Sequence, residues 1–525
     1  MADYKRLFFA ILVVGIAVRI FTALALPDAA LSDSLYHLAI AKHLASTGFL
    51  PFKGIELMRV NTVPPPFFHF FVASSATAVM QPVGSATAIS ITLLVSVLQL
   101  LMAFILLKKL FPNNWVYGLV FFTVLPLITK YSGVNYTETL ASIFVLLSFY
   151  LFVLFKRTGS RKFIFLSVFS LAAMSMAKLN ATILLPAFIL LISWEAKNKK
   201  MPWRQILAFA LSALLLSGLW FGLEFLREGQ LFASNAGDVE KLVDYPFWAA
   251  GQITLPNFFS FCLQFNKSLW AFPPDSFFSN SFILESLPFA SLLSPEMVFL
   301  LLTALTLPIT IFLIFASLNA VRKRKPFAVL LLFIYLLSFV VVVARGRNYV
   351  FARMILPAMP LLSITFLHGF EDVKGAMKKA FFALLLVLAV YSFVNLLFFS
   401  FYYYSSFQKS QGLYSAIAGL SPESKTIISG NHFRAVRWFS ERKCIGPEEA
   451  FKIPRDIKAK LALSKTSAQE IYKKLVELNI THLAVTCIDD PWDKETITEM
   501  IQQGMLEEVF SEECSALYKV KRVFL

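Results

Sequence analysis

The chain has 525 residues, of which 58% are hydrophobic and only 15% are charged, and its formal net charge is +16. A soluble domain carries about 25% charged residues, so this composition excludes an ordinary water-soluble protein. The excess of Lys and Arg stands in short clusters between apolar runs, which argues against nucleic-acid binding and for the orientation of membrane helices.

Apolar runs long enough to cross a bilayer recur along most of the chain. We predict an α-helical polytopic membrane protein with an uncleaved first span. Eleven spans are predicted, near residues 7–27, 87–107, 114–130, 137–155, 163–177, 179–194, 204–226, 296–318, 326–344, 351–369 and 380–402.

The basic clusters order these spans across the membrane, because Lys and Arg favour cytoplasmic loops. If every cluster is cytoplasmic, an even number of crossings separates successive clusters, which requires that the apolar segment Phe67–Pro82 does not cross. That segment is predicted to lie at the interface or to enter the membrane and return. The N-terminus is then cytoplasmic, and two large outer loops cover 28–86 and 227–295. The clusters are Lys5/Arg6, Lys108/Lys109, Lys156–Lys162, Lys197–Arg204, Arg322–Lys325 and Lys374–Lys379.

We assign residues 1–403 to a membrane domain and 404–525 to a soluble domain outside the cell. The tail alternates short strands with charged helices, which predicts a small α/β domain. Cys487 and Cys514 could pair in an oxidising compartment or stand as two buried thiols on adjacent strands. The predicted elements are Thr426–Ser429, His432–Arg442, Ser467–Leu478, Thr481–Cys487, Lys494–Gln503, Leu506–Phe510 and Ser515–Arg522.

The first outer loop carries candidate catalytic residues. Ser32 to Ser34 begin a predicted amphipathic helix on the membrane surface, and Thr47-Gly48 ends it. Asp33 and His37 are one helical turn apart, and His37 is a candidate substrate-binding residue. Asp33 either caps the helix or acts as a general base, and Glu56 is a weaker candidate in the same loop.

Other candidates lie at the outer ends of later spans. Glu138 begins the fourth span, and Lys178 occupies a tight outer turn. Arg345, Arg347 and Arg353 form an outer basic cluster that could bind a phosphate or pyrophosphate, or could extend to lipid headgroups.

Trp270, in the second outer loop, precedes Ala271-Phe272-Pro273-Pro274. It could stack on a sugar, or anchor the loop at the membrane interface.

In their order along the chain, these features resemble the GT-C superfamily of membrane glycosyltransferases, which includes the protein O-mannosyltransferases and the aminoarabinose transferase of lipid A. The resemblance covers roughly the first 370 residues. It rests on Asp33–Tyr36 and Ala41–Gly48, Pro64-Pro65-Pro66, Glu138, Ala177-Lys178-Leu179, and the Arg-x-x-x-Pro-x-x-Pro pattern of Arg353, Pro357 and Pro360. The sequence departs from the family where Ser34 replaces the second acid of a common Asp-Glu pair, and where the His-Pro-Pro-Leu form is absent.

The resemblance implies a GT-C core and an inverting transfer of a sugar from a polyprenyl-phosphate carrier to a protein, lipid or glycan hydroxyl. It implies that Asp33 is the base, that Arg353 with Arg347, Arg345 and Lys178 neutralises the lipid phosphate, and that Glu138 positions the acceptor or supports a metal. No cofactor is certain, and a divalent metal is neither implied nor excluded. The predicted location is the cell membrane.

Two other functions remain open from the sequence. A transporter or flippase of lipid-linked sugars would share the carrier, but transporters often contain internal repeats, and we find no convincing repeat in this chain. Another polyprenyl-carrier-dependent ligase or polymerase would share the outer arginines. It would not need the Asp33 helix directly after the first span.

Overall fold

The fold comes from a computed structural model. It describes residues 2–25, 32–49, 66–132, 137–178, 181–182, 184–228, 266, 269–270, 295–322, 356–371, 373–421, 427–429, 433–442, 444–446, 467–487 and 494–522. These residues form two compact units. The first unit comprises Met1–Leu24 and Thr62–Phe399, and the second comprises Ala25–Asn61 and Ser400–Leu525.

The described part of the chain is mostly helical. The helices are α1 Ala2–Ala25, α2 Ser32–Thr47, α3 Phe67–Ala78, α4 Ser85–Leu110, α5 Trp115–Val124, α6 Pro126–Tyr131, α7 Thr137–Thr158, α8 Arg161–Ala177, α9 Leu184–Asn198, α10 Trp203–Glu228, α11 Pro295–Arg322, α12 Met359–Phe370, α13 Ala376–Ala418, α14 Phe433–Ser440, α15 Ala468–Glu477 and α16 Lys494–Gln502. The strands are β1 Ile427–Ser429, β2 Cys444–Ile445, β3 His482–Val485, β4 Leu506–Glu512 and β5 Ser515–Val520.

Six described helices are long and apolar enough to cross a membrane, and they coincide with six of the predicted spans. They are Arg6–Leu24, Ile89–Leu110, Thr137–Thr158, Trp203–Trp220, Leu300–Asn319 and Lys378–Leu397. The fold class, a helical membrane protein with a small C-terminal sheet, is confirmed. The total of eleven spans stays a prediction, and the span near 326–344 lies outside the described residues.

The predicted span 114–130 is not one continuous helix. It divides into α5 and α6 at Leu125, whose extended backbone separates them (φ −60°, ψ 121°). Pro126 follows as an early residue of α6. Proline is favoured in the first turn of a helix and disrupts a helix interior, so Pro126 accounts for the position of the break between α5 and α6.

Helix α3 is the segment that the charge argument excluded from the spans. Its 12 residues extend about 18 Å, which is too short for a hydrocarbon core of about 30 Å. Phe68, Val72 and Ala76 are buried. The ring of Phe67 lies 5.2 Å from that of Phe144, which is two turns into α7. These lengths and contacts fit a short helix packed within the bundle.

Aromatic rings fill the core of the first unit. The rings of Phe121 and Phe366 stack at 4.3 Å, and those of Phe312 and Phe381 approach to 3.8 Å. Gly369 permits this packing, because a Cβ atom there would collide with Ala316 of α11.

The second unit contains a five-stranded sheet in the order β2-β1-β3-β5-β4. β1 pairs in parallel with β2 and β3, whereas β5 pairs antiparallel with β3 and β4. Buried residues of α15 and α16 cover the sheet, including Ile471, Leu475 and Ile497. The strands and helices predicted for the tail are observed in their predicted order, and β2 is an addition.

The division of the chain into units differs from the predicted division in two respects. Helix α13 continues through residue 403, where the predicted boundary lies, to Ala418. The second unit also includes Ala25–Asn61, whereas the sequence predicts that these residues belong to the membrane domain. Helix α2 of this segment packs on α14, and Leu35, Leu38 and Ile40 are 0% exposed. The apolar side chains of α2 are therefore covered by protein, and its location along a membrane surface stays a prediction.

Candidate active site

The candidate site of the first unit is built on the antiparallel helices α7 and α8. Gly159, between them, has the left-handed backbone (φ 68°) that a tight connection requires. The Ser148 hydroxyl donates to the Ser170 hydroxyl at 2.9 Å, and Ser170 donates to the Phe144 carbonyl at 3.0 Å. These bonds fix the register of the pair, so that the start of α7 lies beside the end of α8.

At this end, Glu138 and Lys178 form an ion pair. Lys178 Nζ lies 2.8 Å from Glu138 Oε1, and the Thr137 hydroxyl donates to Glu138 Oε2 at 3.0 Å. The Glu138 side chain is 1% exposed, whereas that of Lys178 is 23% exposed. A carboxylate is favoured in the first turn of a helix and a cation is favoured at the end of one. The arrangement therefore holds a buried carboxylate beside a cation that is open on one side.

Two buried hydroxyls near this pair retain hydrogen-bonding capacity. Thr139 Oγ1 and Ser175 Oγ have no partner among the described residues. Thr139 follows Glu138 on α7, and Ser175 precedes Lys178 by one turn of α8. Buried polar groups are normally hydrogen-bonded, so these hydroxyls provide positions where a ligand or water can bind.

The prolines of the Arg-x-x-x-Pro-x-x-Pro pattern lie in the same unit. Pro357 belongs to a short 3₁₀ helix, Leu356–Ala358, which packs on α7, and Pro360 lies in the first turn of α12. Arg353 precedes this turn by three residues. Arg353, Arg347, Arg345 and Glu56 themselves lie outside the described residues, and their predicted roles stay predictions.

Asp33 lies on α2, in its first turn, as predicted from the sequence. The position of its side chain is outside the described part of the structure. His37 follows one turn later and is 6% exposed, with its ring 5.3 Å from that of Tyr36. The substrate-binding role of His37 stays a prediction, and its burial limits the contact it can make with a ligand.

No family model matches the sequence, and no curated protein matches it significantly. Solved structures do match its fold. ArnT from Cupriavidus metallidurans bound to undecaprenyl phosphate superposes with a TM-score of 0.56 and 11% identity, covering 98% of each chain. The oligosaccharyltransferase AglB from Archaeoglobus fulgidus, in complex with an inhibitory peptide and a dolichol-phosphate, has a TM-score of 0.52 and 11% identity, covering 91% of this chain and 69% of AglB. Both are GT-C enzymes.

The chain has the GT-C fold. This finding confirms the resemblance drawn from the order of motifs, and the similarity to ArnT extends over nearly the whole chain.

Trp270 lies in the segment predicted as the second outer loop. It is 0% exposed, and its indole N–H donates to Asn266 Oδ1 at 3.0 Å and to Thr310 Oγ1 at 2.8 Å. The Tyr391 hydroxyl donates to the Trp270 carbonyl at 3.0 Å. These contacts hold Trp270 within the protein, and its anchoring at the membrane interface stays a prediction. Sugar stacking by Trp270 stays a prediction, for which the buried ring offers no open face.

Sequence reasoning missed Arg19, which is 0% exposed within α1. Its Nε donates to the Ser96 carbonyl at 3.1 Å and its Nη1 to the Gly15 carbonyl at 2.9 Å. Its Nη2 has no partner among the described residues. The Ser96 hydroxyl in turn donates to the Ser132 carbonyl, six residues before Glu138 in the sequence. The signal was present in the sequence, because an Arg inside an apolar span is by itself a functional candidate.

The described residues contain no group of three or more His, Cys, Asp or Glu side chains that could hold a metal ion. Glu138, the carboxylate proposed from the sequence to support a metal, is engaged by Lys178 and Thr137. Its role in positioning the acceptor or supporting a metal stays a prediction.

Proposed function

We propose that this chain is an inverting glycosyltransferase, which moves a sugar from a polyprenyl-phosphate carrier to an acceptor hydroxyl at the outer face of the cell membrane. The shared fold supports this class, since ArnT and AglB are both transferases. An ArnT structure contains undecaprenyl phosphate, and an AglB structure contains dolichol-phosphate.

The observation that carries the proposal is the buried Glu138–Lys178 pair. Desolvating charged groups at the end of two apolar helices costs free energy, and charged residues in such segments often mark functional sites. Lys178 remains partly exposed and can bind an anion, while Glu138 fixes its position. The unbonded hydroxyls of Thr139, the residue after Glu138, and of Ser175, one turn before Lys178, suit a polar substrate.

In the proposed reaction, the acceptor oxygen attacks the anomeric carbon while the bond from that carbon to the phosphate oxygen breaks. Asp33 takes the proton of the acceptor hydroxyl. Arg353, assisted by Arg347, Arg345 and Lys178, stabilises the negative charge that develops on the polyprenyl phosphate. A single displacement inverts the anomeric configuration and forms no covalent sugar–enzyme intermediate.

The disulfide between Cys487 and Cys514 supports an outer location for the second unit. Disulfides persist in oxidising compartments and are rare in the cytosol. With a cytoplasmic N-terminus, the odd number of predicted spans leads to the same side. The acceptor, whether protein, lipid or glycan, would bind on this outer side of the membrane.

Sugar transfer in vesicles tests the proposal. Wild type, Asp33→Asn and Arg353→Ala are compared at matched expression, with a panel of radiolabelled polyprenyl-phosphate sugars and membrane extract as the acceptor source. We expect transfer by the wild type, its loss in Asp33→Asn, and a fall of at least about tenfold in Arg353→Ala. Unchanged transfer in Asp33→Asn would remove Asp33 from the mechanism. Flipping of the carrier without any transfer would favour the transporter.

A further inference from the structure

Helix α14 has contacts on two sides within the second unit. On one side it is fixed to the end of α13, where the Phe439 ring stacks on Tyr414 at 5.3 Å and meets Phe407 at 5.2 Å. Arg442, just beyond α14, donates to the Ala418 carbonyl at 3.1 Å and to the Leu420 carbonyl. These contacts join α14 to the extension of the last long membrane helix.

On its other side α14 receives α2. Lys42 Nζ lies 3.6 Å from Glu441 Oε1 and 5.5 Å from the centre of the Trp438 ring. On the α2 side, Leu38 and Ala41 are 0% exposed. Glu441 has a left-handed backbone (φ 53°) directly after α14 ends, a conformation that commonly terminates helices.

We propose that α14 is a docking element that sets the position of α2, and thereby of the turn bearing Asp33, relative to the end of α13. Lys42, Trp438 and Glu441 are positioning residues in this arrangement, since they act on Asp33 only through α2. The inference rests on the proposed function as far as Asp33 is the base. The docking itself is independent of it.

The expected fall in kcat follows from the contacts of Lys42 with Glu441 and Trp438. The Lys42 and Glu441 side chains are 56% and 78% exposed, so the pair alone stabilises little. Reversing either charge, however, places two like charges together, and Lys42→Glu also removes the cation from the Trp438 ring. Because transfer is sensitive to shifts of about 1 Å in a reacting group, we expect kcat to fall about three- to tenfold. The KM for the donor should change little.

The first test is chemical and needs no activity. A carbodiimide condenses a lysine amine with a neighbouring carboxylate, with loss of water, and so records the ion pair as an amide. In the full-length protein, mass spectrometry should find the peptide of Lys42 joined to that of Glu441, and Lys42→Gln should abolish it. Absence of this product under conditions that link Lys474 to Glu477 would overturn the docking, because that pair has a similar distance of 3.7 Å and similar exposure.

The second test is charge reversal, with Glu441→Lys, Lys42→Glu and the double variant. Each single variant should lower kcat and raise hydrogen exchange in α2, and the double variant should restore both. The matched control reverses Lys474 and Glu477, which pair within α15, and should leave both readouts unchanged. Wild-type kcat and exchange in the single variants, or no recovery in the double variant, would overturn the positioning role. If the wild type uses no lipid-linked sugar, the proposed function fails, and hydrogen exchange alone decides the positioning of α2.

Discussion

The ion pair of Glu138 and Lys178 joins residues that are 40 positions apart, at the shared end of α7 and α8. Removing one member leaves the other without its partner. Removing one charge of a buried pair strongly lowers the free energy of unfolding, whereas removing both charges together lowers it less. This difference separates the structural contribution of the pair from its contribution to catalysis.

We predict that Glu138→Gln lowers the transfer rate by at least about tenfold. The double variant Glu138→Gln/Lys178→Gln should regain thermal stability but not activity. Glu195→Gln is the matched control, since Glu195 is also buried and pairs with Lys156 at 3.8 Å, at the other end of α7. Initial rates and thermal midpoints in detergent provide the measurements. Equal losses of rate in Glu138→Gln and Glu195→Gln would contradict a specific role of the Glu138 site.

Arg19 is a charge buried in an apolar helix without a carboxylate partner among the described residues, and its Nη2 has no hydrogen-bond acceptor there. Replacing a buried charge by an apolar side chain of similar size is often neutral or stabilising. We therefore expect Arg19→Met to keep or raise the thermal midpoint while lowering the rate of transfer. A lower midpoint with a normal rate per folded molecule would show that Arg19 only holds α1 to α4.

His482 lies in β3 opposite Lys519 of β5. Burial, and then the positive charge of Lys519, lower the pKa of the His482 imidazole below its ordinary value of 6.5. The unfolded chain therefore binds the proton more readily than the folded chain, and the stability of the second unit falls as the pH drops below about 6.5. The thermal midpoint of the full-length protein should decline between about pH 7.5 and pH 5.5. His482→Gln should flatten this decline, and an unaltered pH dependence would refute the assignment.

At the scale of residues, the sequence identified Glu138 and Lys178 as candidates because the topology put both on one face. It could not show that they touch, since their contact depends on the register of α7 and α8. Arg19 was overlooked because one charge barely changes the hydropathy of a long apolar run.

The disulfide acts at the scale of elements. It joins Cys487, just after β3, to Cys514 in the turn between β4 and β5, across a sequence separation of 27 residues. Closing a loop of this length restricts the unfolded chain and stabilises the fold by about 3–4 kcal/mol. We predict that Cys487→Ala/Cys514→Ala markedly lowers the thermal midpoint of the second unit. Cys444→Ala leaves the disulfide intact and is the control for loss of a buried thiol. A smaller loss in the double variant than in this control would contradict the prediction.

Elements with a strong local signal were predicted well. Ser467 caps the start of helix α15: its hydroxyl accepts from the Glu470 N–H, and its own N–H donates to the Glu470 carboxylate in a capping box. The helix lies where the sequence predicts it. Helix α2 is observed where the sequence predicts it, but the sequence pattern could not show that its apolar side chains pack on α14. An apolar helical face has the same pattern whether it meets lipid or, as here, α14.

At the scale of the whole molecule, the basic clusters constrain the predicted order of the membrane spans more tightly than hydropathy alone does. They excluded Phe67–Pro82 from the spans, and the short α3 fits that exclusion. They could not show that Ala25–Asn61 belongs with Ser400–Leu525, because contacts between segments so far apart in sequence leave no local pattern. The division matters for function, since the helix bearing Asp33 belongs to the unit that contains the α/β domain.

The most direct measurement is a product analysis of sugar transfer by the wild type. The account predicts that one polyprenyl phosphate is released for each sugar transferred, and that the anomeric configuration of the sugar in the product is the inverse of that in the donor. Carrier that crosses the membrane with its sugar still attached, or a product with retained configuration, would contradict it.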